Sequence, residues 1–326
     1  MMPVIDGYEF RRMLMADGQL RQIPFIFLTS KGDENDVLDG YDMGIADYVI
    51  KTQGPRIVVA KVTAILKSLG KERQKAVSEL HSAADRMRAK VVPDEPTFFK
   101  GFDIKQWHVP YHGIPGGDFI DYVPLDDNNL AVILGDVMGK KWGAWYFAYA
   151  YAGYVRSALR VVLQTAKEFK ANEILQHVNS SVYQDAKISE VFATLSILIL
   201  NNEAGTVKYS GAGDLPIFYK PAGSNEVKQV QSKGKLLGFA ADGYYNEVVI
   251  ELNDNDQLYL ITDGVLESRN TEGMQFGING LSNVIKSITA IDDPIQKIKE
   301  EFISFTNNRF EDDVSLISIK ATAVKK

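Results

Sequence analysis

The sequence predicts an α/β chain of several units, and three patterns carry that prediction. Residues 1–56 alternate helix-like and strand-like stretches, residues 57–95 carry an apolar seam at helical spacing, and residues 96–326 break into short strands punctuated by Gly and Asp. The length agrees, since 326 residues is about twice the ~150 taken for one domain.

In the first unit an amphipathic Tyr8–Ala16 precedes an apolar Pro24–Leu28 that ends in Thr29-Ser30. A helical Glu34–Met43 follows, then Ala46–Ile50 ending in Lys51. Strands alternating with helices are the mark of a parallel sheet. From Val59 the positions Val59, Val62, Leu66, Leu69, Arg73, Ala76, Leu80, Ala83 and Met87 keep a 3-4 spacing that only Arg73 breaks. This predicts a helical linker that pairs with a second copy as a coiled coil. The alternative is a single helix packed on its own domain. Gly70 costs ~1 kcal/mol inside that helix relative to Ala. Pro93 and Pro96 end it, because proline lacks the N–H donor and clashes with the preceding turn.

Beyond them, Leu130–Leu134, Phe192–Leu200, Thr206–Ser210, Ile217–Lys220, Gln257–Ile261 and Val314–Ile319 read as strands. Helical patterns cover Ala144–Leu163, Ala171–Gln184 and Pro294–Thr306. Short strands with Gly/Asp turns fit a sandwich of sheets better than a parallel sheet.

Composition narrows the function classes. Apolar residues make up 45% and charged residues 24%, which fits a soluble globular chain rather than a disordered one. Lys+Arg 36 against Asp+Glu 42 leaves a net charge of −6, so general affinity for nucleic acid or anionic lipid is not expected. With no Cys and four His, disulfides, zinc-thiolate sites and thiol nucleophiles are excluded, and metal ligands must come chiefly from Asp and Glu. The most lipid-like run, Trp142–Val155, falls short of the ~20 residues that span a bilayer. The N-terminus meets Asp6 at once and has no secretory h-region, so a cytoplasmic location is expected.

The chemistry sits where acidic residues end strands: Gly117-Asp118, Gly135-Asp136-Val137, Thr262-Asp263-Gly264 and Asp312-Asp313-Val314. Mg²⁺ and Mn²⁺ prefer carboxylate and carbonyl oxygens in octahedral sites, and a carboxylate at a strand end is held firmly yet stays open to solvent. Two such ions ~3.5–4 Å apart can lower the pKa of a bridging water and aim it at phosphorus, with no Cys, Ser or His nucleophile. One Asp-Gly pair is usually a turn. Four in this order, with Ser210-Gly211-Ala212-Gly213-Asp214 between the second and third, make a pattern unlike chance.

That pattern resembles the SpoIIE-type branch of the metal-dependent protein serine/threonine phosphatases, the PPM family. The resemblance covers about 98–320 through GGDFID at 116–121, GDVMGKK at 135–141, VFATLSILIL at 191–200, YSGAGDLPIFY at 209–219, LYLITDGVLES at 258–268 and EDDVSLISI at 311–319. It implies an α+β sandwich of two antiparallel sheets flanked by helices, with two Mn²⁺ or Mg²⁺ ions at one end. Carried over by position, Asp136 stands for the carboxylate bridging both ions, with the Val137 carbonyl and Asp118 on one of them. Asp263 and Asp312 stand for ligands of the other, Asp313 being the alternative to Asp312. Asp136 and Asp118 are thereby implied as catalytic. Three features depart from the family. Gly139-Lys140-Lys141 replaces Gly-Lys-Gly, an aromatic-rich helix follows it, and Ala212-Gly213-Asp214 replaces Ala-Gly-His. The dense aromatics read mainly as core, with Trp145 or Tyr149 expected to reach the linker helix or a second copy. His108 and His112 read as structural, and no general acid or phosphate clamp is assigned.

Residues 2–56 resemble the second half of a response-regulator receiver, a flavodoxin-like domain. Thr29, Tyr48 and Lys51 stand at its readout positions. The chain shows neither its phosphoacceptor nor its acidic pocket, so a receiver remnant without its first three strands is expected.

The function implied is a metal-dependent phosphoserine/phosphothreonine phosphatase regulated as a response-regulator output, acting on a phosphorylated anti-sigma-factor antagonist and dimeric through the linker. The alternative is a degenerate phosphatase domain that works as an adaptor without hydrolysis. A cyclic di-guanylate cyclase fails, because Phe119-Ile120 follows Gly-Gly-Asp where Glu-Phe is needed.

Overall fold

The computed structural model describes residues 5–17, 20–30, 38, 40–86, 91–111, 116–138, 142–165, 168–185, 188, 191–289 and 291–322. The chain divides into two compact units, Met1–Leu80 and His81–Lys326.

In the first unit, helix α1 (Gly7–Ala16) starts at Asp6, whose carboxylate accepts the Glu9 N–H at 2.8 Å. Strands β1 (Ile26–Thr29) and β2 (Asp47–Ile50) pair in parallel, as their alternation with helices predicts. Phe27, Ile45 and Tyr48 form a small core with Tyr8 and Phe25 packed against it. The buried Arg11 ties α1 to the turn before β2, donating to the Gly44 carbonyl at 2.7 Å. Of the helix expected over Glu34–Met43, residues 34–37 and 39 lie outside the described residues.

Helix α2 (Pro55–Arg86) begins with proline, whose missing N–H costs nothing in a first turn. Lys61 anchors it to β2, its Nζ 2.6 Å from Asp47 Oδ1. The helix passes through Gly70 without a break. The first four seam residues, Val59, Val62, Leu66 and Leu69, are all exposed. The side chains of Arg73, Ala76, Leu80 and Ala83, and Met87 itself, lie outside the described residues.

The second unit is the expected sandwich. One sheet runs in the order β10 (Val248–Glu251), β7 (Thr206–Ala212), β6 (Ala193–Asn201), β5 (Asn129–Val137), β4 (Asp118–Pro124). The other runs β3 (Phe102–Val109), β12 (Val314–Ala321), β11 (Gln257–Ile261), β8 (Ile217–Lys220), β9 (Lys228–Val230). Every pairing within them is antiparallel.

Period-two alternation sorts the strand side chains into layers. Ile120, Tyr122, Leu130, Val132, Leu134, Leu198 and Leu200 meet Leu258, Leu260, Ile317 and Ile319 between the sheets. Phe119, Ala131, Ile133, Leu195 and Ile197 turn the other way, against helices α3 (Trp142–Thr165) and α4 (Ala171–Gln184). Trp107, Phe218, Tyr259, Ile261 and Leu316 cover the outer face of the second sheet, beneath α6 (Gly277–Ser287) and α7 (Pro294–Thr306). A five-residue helix, α5 (Asp263–Glu267), follows β11.

The aromatic helix is largely core. Tyr151 is fully buried, with its hydroxyl donating to the Val191 carbonyl, while Phe147, Tyr149 and Tyr154 pack on the same layer. The Trp142 and Trp145 side chains lie outside the described residues.

Lys220 shows how the outer helices are fastened. Its buried Nζ donates to the carbonyls of Ile285 (2.8 Å), Lys286 (3.1 Å) and Ile288 at the C-terminal end of α6, where the Ile285 carbonyl also accepts the Ile288 N–H at 3.2 Å. Burial lowers its pKa from the ordinary lysine value, and Asp292 opposes that shift. Lys220→Met keeps the stem and removes the ammonium donor from all three carbonyls. Chemical denaturation is expected to show a loss of about 2 kcal/mol, and an unchanged midpoint would contradict this role.

Candidate functional site

Antiparallel register places the acidic motifs. Asp118 at the start of β4 pairs directly with Asp136 near the end of β5, so both carboxylates leave the same face of that sheet. In the other sheet, the end of β11 runs beside the start of β12, and the Thr262 N–H donates to the Ser315 carbonyl at 3.1 Å. Asp263 therefore lies across from Asp312 and Asp313.

Asp118 joins the two sheets. Its Oδ2 accepts the Thr262 hydroxyl at 2.8 Å and the Ser315 hydroxyl at 2.6 Å. Thr262 Oγ1 in turn accepts the Ser315 N–H at 3.0 Å, and Ser315 Oγ lies 2.9 Å from His108 Nδ1. Since the serine proton is given to Asp118, the imidazole contact requires a proton on Nδ1. Burial pushes the His108 pKa down to about 4, so this ring is neutral.

Asp313 holds the approach to β4. Its Oδ1 accepts the Tyr111 N–H and its Oδ2 the Gly117 N–H, both at 2.8 Å. Gly117 is required by close approach, because a Cβ there would lie 2.4 Å from the Val137 carbonyl oxygen and 3.1 Å from Asp136 Oδ1. The glycine opens a cradle between a carbonyl and a carboxylate.

Five aspartates share this end of the sandwich, and their charges oppose one another. Burial, then Asp136 and Asp313, hold the Asp118 carboxyl well above the usual range, against the two hydroxyl bonds. Burial, then Asp263, Asp312, Asp313 and Glu267, push Asp136 up to about 7. Asp263 is raised by burial, then by Asp312 and Glu267, and Asp313 is raised by burial, then by Asp312. Among the described residues, no three acidic or histidine side chains close into a ready-made cage. The hard oxygen donors and uncompensated negative charge nevertheless fit divalent cations, which would lower the cost of holding these groups ionised.

Asp118, Asp136, Val137, Asp263 and Asp312 are thus all found at one end of the unit. Residues that the motifs did not assign also belong there: Thr262 and Ser315 inside TDG and DDVS, His108 behind them, and Glu267 one turn beyond Asp263. Lys140, Lys141 and His112 lie outside the described residues.

Asp214 occupies a separate niche. Its Oδ2 accepts hydroxyls from Tyr209 (2.7 Å) and Ser196, and Gln231 Nε2 donates to its carbonyl at 3.2 Å. Burial pushes its carboxyl up to about 6 against those hydroxyl bonds. A Cβ on Gly211 would fall 1.9 Å from Asp214 Oδ1, so the niche exists only because that position is bare. In the other unit, Thr29 pairs with Ile50, which brings it to the end of the parallel pair where Lys51 follows, while Tyr48 faces Phe27 in the core.

Residues 126–322 match the family model described as stage II sporulation protein E (SpoIIE). "Phosphoserine phosphatase RsbU" of Bacillus subtilis is 24% identical over 255 residues, covering 76% of this chain and 71% of that protein. "Protein IcfG" of Synechocystis is 25% identical over 249 residues, 67% of this chain but 38% of that protein. The phosphate regulon regulator PhoB of Pseudomonas aeruginosa is 39% identical over 70 residues, 22% of this chain and 31% of the regulator. The chain thus spans well under half of the Synechocystis and PhoB proteins.

Among solved structures, the RsbU and RsbW domains of Rv1364c from Mycobacterium tuberculosis align with TM-score 0.60 at 20% identity, covering 73% of this chain and 64% of that one. The PP2C phosphatase domain of SpoIIE from Bacillus subtilis, with a fragment of its regulatory domain, aligns with TM-score 0.58 at 19% identity over 69% and 64%. At these identities the likeness establishes the fold.

The raised carboxyls carry a sign for stability. A group whose folded pKa is raised gives stability that is complete below its unfolded value and is lost as pH rises through the folded one. For Asp136 that window runs from the ordinary 3.8 to about 7. The metal-free protein is therefore expected to lose stability across this interval. Asp136→Asn removes the penalty, and its metal-free unfolding free energy at pH 8, from chemical denaturation, should exceed the parent's by an amount on the order of 2–4 kcal/mol. A variant less stable than the metal-free parent at pH 8 would contradict the reading.

Proposed function

The chain belongs to the SpoIIE family, and from that premise we propose that it is a metal-dependent phosphoprotein phosphatase acting on phosphoserine or phosphothreonine. The observation that carries the proposal is the convergence of four acidic strand ends from two sheets on one buried, hydroxyl-braced carboxylate, Asp118. Two Mn²⁺ or Mg²⁺ ions would be held here, with Asp136 serving both, the Val137 carbonyl and Asp118 serving one, and Asp263 and Asp312 the other. Asp312 is preferred to Asp313 because both Asp313 oxygens already accept backbone N–H groups. Bound there, the ions would supply a water of lowered pKa and neutralise charge on the phosphoryl oxygens.

The protein's own part is orientation. Thr262 and Ser315 hold Asp118 in one rotamer, and Asp313 fixes the Gly117 turn beside Val137 and Asp136. Neutral His108 keeps the Ser315 hydroxyl turned toward Asp118.

The proposed substrate is a phosphorylated protein of the anti-sigma-factor antagonist type, the partner class that the family resemblance implies. Regulation would come through the receiver-like unit, with Thr29, Tyr48 and Lys51 as readout residues. Dimerisation would use the exposed seam of α2, where Val59 and Leu66 are 64% and 61% exposed. No helix among the described residues is long and apolar enough to cross a membrane, which is consistent with the proposed cytoplasmic location.

Hydrolysis of p-nitrophenyl phosphate and of a phosphoserine peptide is expected to rise with Mn²⁺. Asp136→Asn should lower kcat by at least ~100-fold. Metal-independent turnover would refute the mechanism, and phosphoprotein binding without turnover would favour the adaptor. A Val59→Glu, Leu66→Glu double variant should shift the protein from dimer to monomer in light scattering, and an unchanged mass would refute the seam.

A further inference from the structure

Beside the acidic centre the surface becomes apolar. Met138, which follows Val137, is 54% exposed, and its N–H donates to the Phe192 carbonyl at 2.9 Å. The Phe192 and Phe239 rings lie 6.1 Å apart, and Lys235 Nζ sits 5.8 Å from the centre of the Phe239 ring. Phe239 is 59% exposed, and Lys235 is exposed as well. In register, Val137 pairs with Ala193 and Asp136 with Thr194. The patch therefore borders the strand ends that carry the carboxylates.

A slack loop would fold an exposed phenyl ring back on the surface, and this one is prevented from doing so. On one side, buried Leu237 docks on β6, its N–H 3.1 Å from the Ala193 carbonyl. Asn179 of α4, only 1% exposed, then straddles position 239. Its Oδ1 accepts the Gly238 N–H at 3.0 Å and its Nδ2 donates to the Ala240 carbonyl at 2.9 Å. Further along, Asn246 Oδ1 accepts the Ser232 hydroxyl at 3.1 Å and the Lys233 N–H. Phe239 is thus presented outward by a backbone bonded on both flanks. A rigid aromatic with a cation over its face has the form of a binding anchor, since ordering costs are met before the partner arrives.

We propose that Met138, Phe192, Lys235 and Phe239 form the docking surface for the substrate segment that flanks the phosphoserine. The segment is extended, with a large apolar residue beside the phosphoserine to cover Phe239 and an acidic residue to pair with Lys235. Charge complementarity supports this occupant, since Lys235 offers a cation at the rim of a centre whose described side chains are mostly acidic. The assignment rests on the phosphatase reading of that centre.

The test compares p-nitrophenyl phosphate with two short phosphoserine peptides, one with leucine and glutamate beside the phosphoserine and one with glycine and serine there. For Phe239→Ala, kcat/KM on the leucine/glutamate peptide should fall about tenfold, chiefly through KM, and its ratio to that for p-nitrophenyl phosphate should fall equally. Lys235→Glu should weaken the glutamate peptide more than the glycine/serine one. Ile291→Ala, at an exposed apolar position before α7, should leave the ratio at the parent value. A Phe239→Ala ratio within twofold of the parent would overturn the docking surface. If the parent hydrolyses none of the three, the phosphatase reading fails separately. Fluorescence anisotropy of the labelled leucine/glutamate peptide then decides the surface: weaker binding to Phe239→Ala than to the parent upholds it, and equal binding overturns it.

Discussion

The carboxylate of Asp118 is the point at which the sandwich becomes a site. A buried carboxylate without partners is too costly to keep, and the partners of this one come from the opposite sheet: Thr262 past the end of β11 and Ser315 in β12. Once those hydroxyls are in place, the pairing of β4 with β5 sets Asp136 opposite Asp118. The turn into α5 sets Asp263 beside Asp312 and Asp313. Four separate stretches of sequence are thus located relative to one another by one shared oxygen and two strand pairs.

That arrangement is unfavourable by itself and is carried by the rest of the unit. Like charges raise the pKa of neighbouring carboxylates, and burial adds to the effect. The compensating stability lies in three apolar layers, of which the one between the sheets is built from Ile120, Leu130, Val132, Leu198, Leu258, Ile317 and their neighbours. A rigid sheet at each side of the centre keeps the carboxylates from relaxing apart. Function and stability are therefore divided by position, with acids at one end of the strands and aliphatics along their length.

Much of this was legible in the sequence because strand periodicity and turn residues are local signals. The strands β5, β6, β7, β8, β11 and β12 and helices α3, α4 and α7 follow from apolar runs bounded by Gly, Asp or Pro. Strands β3, β4, β9 and β10 and helix α6 did not stand out. β3 is half-buried and interrupted by Lys105, Gln106 and His108, and β9 and β10 are short and partly exposed. The acids themselves were readable as motifs. Their braces were not, since Thr262 and Ser315 look like ordinary strand residues until the two sheets face each other. The clamp of Asn179 on the loop carrying Phe239 spans 59 and 61 positions of sequence, and no local pattern announces it.

The niche of Asp214 constrains how this chain can change over evolutionary time. Its carboxylate takes two hydroxyls on one oxygen, from Ser196 and Tyr209, and occupies the volume that a side chain at Gly211 would need. An imidazole has a single acceptor nitrogen and a larger ring, so histidine at this position would leave a hydroxyl unanswered and crowd the glycine. A histidine there calls for a change at Ser196 or Tyr209 as well. Position 214 is thus held in place by its own neighbours.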